Sequence, residues 1–414
     1  MNQKKSRLSQ AMVFLILFGI VSLFSDMTHE GASSIRGAYL ALLGASAGAI
    51  GFISGLGELI GYSMRYLFGR ITDRTRSYWP MVILGYVLDI IAVPALALVG
   101  EHGWIAACLL LVVQRMGKAI KKPAKDTIMS FAASQEGAGR SFGLQELLDQ
   151  IGAFLGPVLL WLVMLGRTDA SPIRTYSLCF AVLAIPGGIT LLLLLYTRSR
   201  FPNPEQFEPE PKEYIPFRMK KSFILYIAGI SLFAFGFIDY SLIVMHISRT
   251  AAALSGVAGL ITEETLPLLY AGAMLIDAVS ALFFGFLYDR IGVRSLIFST
   301  LLSSGFAVFV FSMHSVPALL VGIALWGIGM GAQESILKAA VSSMVPKSSR
   351  ATGYGIFECS FGFFWFLGSW LMGALYDFSI PAMVAVSVAA QLLSIPLYLA
   401  SSRQKIREEQ PLHE

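Results

Sequence analysis

Twelve long apolar stretches constrain this chain more than anything else in it. They run approximately over 11–40, 46–70, 79–99, 104–131, 139–166, 174–197, 222–249, 265–288, 294–313, 316–344, 350–376 and 380–401. A helix needs about 20 apolar residues to cross the hydrocarbon core of a bilayer. Inside that core every backbone N–H and C=O must be bonded within the protein, which favours helices over open strands. The expected fold class is therefore all-α integral membrane, with twelve transmembrane helices. Composition agrees: 14% of the 414 residues are charged and 56% are hydrophobic, whereas soluble domains carry about 25% charged residues.

The net charge of +5 is explained by its placement. Lysines and arginines gather in the two tails and in the loops on the same side, while Arg36, Arg167, Arg174 and Arg249 lie at the other ends of the spans. The positive-inside rule then puts both termini in the cytoplasm of a plasma (inner) membrane. This pattern points to a lipid bilayer and away from a nucleic-acid partner. The polar start Met1–Gln10 runs into a span too long and uninterrupted for a cleavable signal. Cys108, Cys179 and Cys359 sit in apolar spans without metal-ligand spacing and read as small buried hydrophobes. Between spans six and seven, Pro202, Pro204, Pro209, Pro211 and Pro216 alternate with charges. This marks a cytoplasmic linker over 198–221 between an N-terminal bundle, 1–197, and a C-terminal bundle, 222–414.

The two halves repeat. Gly69-Arg-Ile-Thr-Asp73-Arg74-Thr-Arg76 follows span two, and Gly285-Phe-Leu-Tyr-Asp289-Arg290-Ile-Gly-Val-Arg294 follows span eight. Asp26 and Arg36 in span one match Asp239 and Arg249 in span seven, with the same separation. Arg140 and Gly143 are mirrored by Arg350 and Gly353. Five landmarks in the same order indicate two pseudo-symmetric six-helix bundles.

The paired Gly-x-x-x-Asp-Arg-x-Gly-x-Arg loops resemble the signature loop of the major facilitator superfamily. The second matches in full, and the first lacks the second glycine. The resemblance implies two bundles rocking about a central cavity in alternating access. It also implies that Asp73 and Asp289 brace neighbouring helix ends and hold the inner side shut, which charge–dipole attraction supports. Arg115 followed by Gly117 is similar to a degraded form of the superfamily's helix-4 motif. Gly152-Ala-Phe-Leu-Gly156-Pro157 in span five resembles the motif of the superfamily's exporters, although Leu159 and Leu160 follow where the pattern favours glycine.

Ionisable residues at bilayer depth mark an ion or substrate path, or a charge partner. Asp26 and Glu30 are one turn apart on one face of span one. Mutual repulsion and burial together make the environment a proton-coupled site needs. The structural alternative pairs them with a buried base such as Arg36 or Arg115. Arg115, Lys118, Lys122 and Lys125 step by three, four and three residues, forming one basic stripe on span four. Arg115 lies about 17 Å below Trp104 at 1.5 Å per residue, deep enough to hold an anionic substrate group or to answer Asp26 and Asp89. Glu146 and Asp149 return on span five at the depths of Lys125 and Lys122, so an interhelical ion-pair ladder is expected; Lys121 and Lys125 also suit snorkelling. Glu58 and Asp277 occupy matching depths in spans two and eight. Arg65 suits a neighbouring acid, Glu334 and Lys338 form an i,i+4 pair, and Glu358 could meet Lys338. The aromatic run Phe361–Trp370 reads mostly as lipid-facing and packing surface, with one or two rings lining the cavity.

The leading expectation is a secondary transporter, an antiporter exporting a small organic compound in exchange for protons, acting as a monomer. The alternatives are proton-coupled uptake of an organic anion, with Arg115 and Lys118 as binding charges, and transition-metal transport through His29, His246, Asp26, Glu30 and Asp239. No Gly-x-x-x-x-Gly-Lys-Ser/Thr motif and no nucleophile or metal cluster near an interface appears in the sequence. These features argue against a primary pump and an enzyme, and no cofactor is expected.

Overall fold

The computed structural model describes residues 9–136, 138–166, 171–207, 219–250, 261–312, 315–345 and 350–409. Within these, the side chains of 73, 134, 138–143, 205, 334, 338, 339, 342, 350–352 and 409 lie outside the described set. The described residues contain helices and no strand. In chain order they are α1 Gln10–Leu42, α2 Ala47–Thr75, α3 Tyr78–Ala95, α4 Trp104–Glu136, α5 Ala138–Leu165, α6 Pro172–Val182, α7 Ala184–Arg200, α8 Lys221–Gly236, α9 Tyr240–Thr250, α10 Leu266–Ile291, α11 Ser295–Ser303, α12 Phe306–Phe311, α13 Val316–Met344, α14 Arg350–Phe378 and α15 Ile380–Glu409.

Nine segments among the described residues are long and apolar enough to cross a membrane. One of them, Glu263–Phe311, holds two rods, α10 and α11–α12. The charge-bearing α2 and α4 supply the remaining two, giving twelve. Side-chain caps set several starts. Ser9 accepts from the Met12 amide at 3.0 Å, and Ser46 accepts from the Ala49 amide at 3.1 Å. Large apolar side chains such as Leu98, Leu192, Leu282 and Phe286 face outward, as lipid requires and water would penalise.

The seventh rod is interrupted, contrary to the continuous span expected over 222–249. Phe237 leaves the helical region between α8 and α9, with φ −84° and ψ 122°. Other helices satisfy the freed backbone. Ser387 donates to the Gly236 carbonyl at 2.7 Å, and Trp326 Nε1 donates to the Ile238 carbonyl at 3.0 Å. Asp239 then caps α9 by accepting from the Ser241 amide at 2.8 Å. Irregular backbone at membrane depth survives only when protein partners replace the lost bonds.

The start of α1 and the end of α15 lie on one face of the bundle, here called the terminal face. Near the opposite face the halves meet backbone to backbone: a Cβ on Gly51 of α2 would fall 2.2 Å from the Ser369 carbonyl of α14. Nearer the terminal face, the Tyr62 and Tyr66 side chains stand between the same two helices, against Gly362 and Gly355. The halves are thus tightest at the opposite face and spaced by side chains towards the terminal face. The start of the linker is anchored rather than loose. Phe201 and Phe207 pack on Phe14, with ring centroids 5.3 and 5.9 Å away, and Trp79 Nε1 donates to the Phe201 carbonyl at 3.0 Å.

Repeat and loop geometry agree in one detail. Gly292 ends α10 with φ 61°, and Arg76, which stands at the matching place after α2, adopts φ 52°. The missing glycine of the first loop is therefore replaced by an arginine in the left-handed conformation.

Candidate functional site

Helix α1 presents Ser22, Ser25, Asp26, His29 and Glu30 at helical spacing, and α4 presents Gln114, Arg115, Lys118, Lys121 and Lys125. The two faces interlock. Gln114 Nε2 donates to Asp89 Oδ1 at 2.7 Å and also meets His29 Nδ1. His29 Nε2 faces Lys118 Nζ at 3.1 Å and Glu30 Oε1 at 3.5 Å. The Tyr270 hydroxyl of α10, in the other half, donates to Glu30 Oε2 at 2.5 Å. Polar contacts therefore run without a break from Asp89 on α3, through α4 and α1, to the C-terminal half. Lys121 closes the α3 end: its ammonium contacts both Asp89 Oδ2 and Ser25, and lies 3.9 Å over the Tyr86 ring.

A second group flanks this one. Arg115 Nη2 is 2.7 Å from Glu58 Oε1, with Asp239, Glu30 and Tyr62 also in its field. Arg36 crosses the halves to Ser241 Oγ at 2.8 and 3.0 Å and to Asp239 Oδ1 at 3.5 Å. Arg65 reaches Glu358 of α14 at 3.4 Å and lies 4.7 Å over Tyr62. The Glu30 and Glu58 side chains keep 19% and 18% of their exposure although they touch partners on other helices. That residual access sets these two carboxylates apart from the more deeply buried Asp89 and Asp239.

Several expected partnerships take another form. Arg115 pairs with Glu58, not with Asp26 or Asp89, and Arg36 pairs with Asp239. Of the expected ladder to α5, Lys122 lies 3.9 Å from Asp126 on its own helix and Lys125 contacts Ser22 of α1, while both lysines stand in the field of Asp149. Helix α1 packs against both α4 and α5, and Lys125 feels Asp149 and Asp26 as well as touching Ser22. Glu146 is exposed and accepts from Gln150 at 3.3 Å. Lys121, read as a snorkelling residue, is buried. Asp277 is buried on α10, its backbone carbonyl and Oδ1 close to Gly331. Glu358 meets Arg65. Glu334 and Lys338 lie on α13 and Asp73 on α2, but their side chains are outside the described residues. Asp289, Arg290 and Arg74 are exposed at helix ends, and Gly69 and Gly285 are half-buried nearby. Cys359 is half-buried rather than fully buried.

The glycine motif of α5 has a definite place. Cβ atoms on Gly152 and Gly156 would fall 2.2 Å from the Leu23 and Met27 carbonyls. This close approach, followed by Pro157, presses α5 against the turn of α1 that carries Asp26. The two histidines do not converge: His29 is in the polar chain, while His246 meets the Tyr376 hydroxyl at 2.9 Å. Among the described residues no three His, Cys, Asp or Glu side chains gather as a metal site.

Sequence reasoning missed Gln114, Tyr270 and Ser241. Gln114 could have been found as the upward continuation of the Lys118–Lys121 stripe. Tyr270 carries no local signal, because its role depends on the other half.

Twelve rods in two bundles, joined at mid-depth by a network of charged side chains, define a polytopic membrane transporter. The sequence profile of the Major Facilitator Superfamily matches residues 8–262 and 247–414. The chain belongs to that superfamily. It is 36% identical over 393 residues to an uncharacterised protein of Mycobacterium tuberculosis, covering 94% of this chain and 92% of the relative. The fold is similar to a bacterial homologue of the human lysosomal transporter Spinster in an inward-facing, unoccupied conformation, with a TM-score of 0.72, 13% identity, and coverage of 98% of this chain and 100% of that one. It is also similar to a D-xylose–proton symporter, with a TM-score of 0.65, 14% identity, and coverage of 93% and 96%.

Proposed function

We propose that this protein is a proton-coupled secondary transporter of the plasma membrane, with cytoplasmic termini, that exports a small organic compound by alternating access as a monomer. One observation carries the coupling: Glu30, partly exposed one turn from Asp26, accepts the Tyr270 hydroxyl across the two halves at 2.5 Å. Protonating Glu30 removes the charge that makes this acceptor strong, so proton uptake loosens a contact that joins the bundles. Asp26, one turn away, is the second proton carrier. The similarity in fold to a D-xylose–proton symporter supports coupling to protons, and the Gly152–Gly156–Pro157 contact beside Asp26 supports export.

Purified protein in vesicles with an imposed pH gradient and an internal pH dye tests this reading. Substrate should move against the proton flow, and Asp26→Asn or Glu30→Gln should abolish that coupling with the protein still inserted. Wild-type coupling in both variants would remove these carboxylates from the mechanism.

Uptake of an organic anion is the second reading. Lys118 favours it: among the described residues, its ammonium meets the His29 imidazole but no carboxylate within 4 Å. Flow of substrate with protons, in the same vesicles, would select uptake.

A further inference from the structure

One chain of contacts through α3, α4 and α1 leaves no freedom in where its hydrogens sit. Lys121, its ammonium 3.9 Å over the Tyr86 ring, contacts Asp89 Oδ2 and holds Asp89 as a carboxylate, which only accepts. The other oxygen, Oδ1, takes a hydrogen from Gln114 Nε2 at 2.7 Å. The same Nε2 carries a second hydrogen, and His29 Nδ1 meets it. Turning the amide over would set Gln114 Oε1 against Asp89 Oδ1, acceptor to acceptor. Turning the ring over would put carbon where both of its nitrogens now have partners. An imidazolium would point its Nδ1 hydrogen at the amide hydrogen. Nδ1 is therefore the acceptor, and a neutral imidazole that accepts at Nδ1 carries its hydrogen on Nε2.

That Nε2 faces Lys118 Nζ at 3.1 Å, while Glu30 Oε1 stands farther off at 3.5 Å. Lysine is an ammonium by default, with three hydrogens and no lone pair. Two N–H groups aimed at each other repel, so the 3.1 Å contact admits one hydrogen, and that hydrogen is the ring's. Lys118 accepts it, which only an amine can do. The charges around Lys118 are Glu30 and Asp26 on α1, Glu58 on α2 and Arg115 on its own helix. Asp89 and Lys121 balance each other behind Gln114, and Asp149 of α5 stands in the field of Asp26. Three acids thus wait around an amine that a proton would make positive.

We infer that Lys118 is a proton-binding residue of the coupling site: an amine while it accepts the His29 hydrogen, and an ammonium turned to Glu30 and Asp26 once it has taken up a proton. This rests on the proton-coupled reading and adds to it a basic carrier beside the carboxylates. In the step, a hydronium gives its proton to the Nζ lone pair and leaves as water. The hydrogen bond from His29 Nε2 breaks, and that hydrogen turns to Glu30 Oε1. The new ammonium competes with the Tyr270 hydroxyl for the Glu30 carboxylate, and a charged donor is the stronger one. Proton arrival at Lys118 is therefore felt at the contact that joins the halves. Gln114 is the positioning residue, because without it Nδ1 is free to carry the ring's hydrogen and Nε2 to accept from an ammonium.

Nitrogen-15 NMR of the full chain in detergent micelles, labelled at the lysine Nζ atoms and the histidine rings, tests the assignment. The signals lost in Lys118→Gln and His29→Gln identify the two residues. At neutral pH His29 should carry its hydrogen on Nε2 and Lys118 should give an amine signal, which acidification should convert to an ammonium signal. Gln114→Leu should restore the ammonium at neutral pH and leave Lys121 unmoved. An ammonium at Lys118 in the wild type, a hydrogen on His29 Nδ1, or an amine that persists in Gln114→Leu would each overturn the inference. In vesicles, Lys118→Arg keeps the positive charge but cannot give up a proton, so proton flux should be lost; wild-type coupling in that variant would also overturn it. The NMR signals are read without a pH gradient. An amine at Lys118 together with intact coupling in Asp26→Asn and Glu30→Gln therefore sinks the carboxylate reading alone. An ammonium there, with coupling lost in those two variants, sinks this inference alone.

Discussion

The two bundles share a scaffold and differ in chemistry. The first puts Asp26, Glu30, Glu58, Asp89, Arg115, Lys118 and Lys121 at mid-depth. The second answers with Phe237, Tyr240, Tyr270, Trp326, Phe361 and Trp365 and, among the described side chains, with few charges, chiefly Asp239, Asp277 and Glu358. Their loops keep the same order, down to the positive φ at Arg76 and Gly292. What the repeat preserves is what any six-helix bundle in lipid needs: length, close contacts and helix ends. What it lets diverge is the lining where the two halves face each other.

The largest effect should come from unbalancing the charged wall. Arg115→Met leaves Glu58 without its 2.7 Å partner and should cost about 3–5 kcal/mol, read as thermal unfolding in detergent. Adding Glu58→Met should recover most of that stability without recovering transport. Recovery of both would reduce the pair to scaffolding and weaken the contrast between the walls. Trp326→Leu strikes the aromatic wall, where it packs on three rings. It should cost about 3 kcal/mol by cavity formation and leave proton flux less affected than Arg115→Met does. Equal flux defects would erase the division of labour.

Gly156→Ala tests the shared scaffold, because its methyl would meet the Met27 carbonyl at 2.2 Å. A loss of about 1–3 kcal/mol is expected as α5 and α1 separate, together with altered coupling because Asp26 rides on the displaced turn. Smaller still is Asp377→Ala. Asp377 accepts from the Gly48 amide at 2.9 Å and the Ala47 amide at 3.3 Å, so α14 caps α2 across the closed face. Its loss should cost about 1 kcal/mol and raise labelling of a cysteine placed at that face. The smallest effect is a gain: Arg76→Gly should stabilise by about 0.5–1 kcal/mol, since a side chain in the left-handed region carries a steric penalty that glycine avoids.

Legibility followed physics. Helix positions were readable to within a few residues in most spans, because hydrophobic length is set by the bilayer. The break at Phe237–Asp239 was not, since a run of apolar residues looks the same whether it is helical or held open by Ser387 and Trp326. Asp239 and Ser241, two residues apart, were the local trace of a helix start within that span. In the site, the depth of each charge was readable by counting along its helix. Its partner was not: Arg36 and Glu30 sit on α1, yet they meet Asp239 and Tyr270 of the other half.

The chain by itself determined twelve crossings, two like halves and the depth at which each charge sits, because lipid forces backbone bonding inside each segment and fixes its length. Only the packed structure decided which charges meet, that Glu30 reaches Tyr270, and that one wall is aromatic. Those outcomes depend on how each helix is rotated about its axis and which neighbour it touches, and rotation is settled by contacts between residues far apart in sequence.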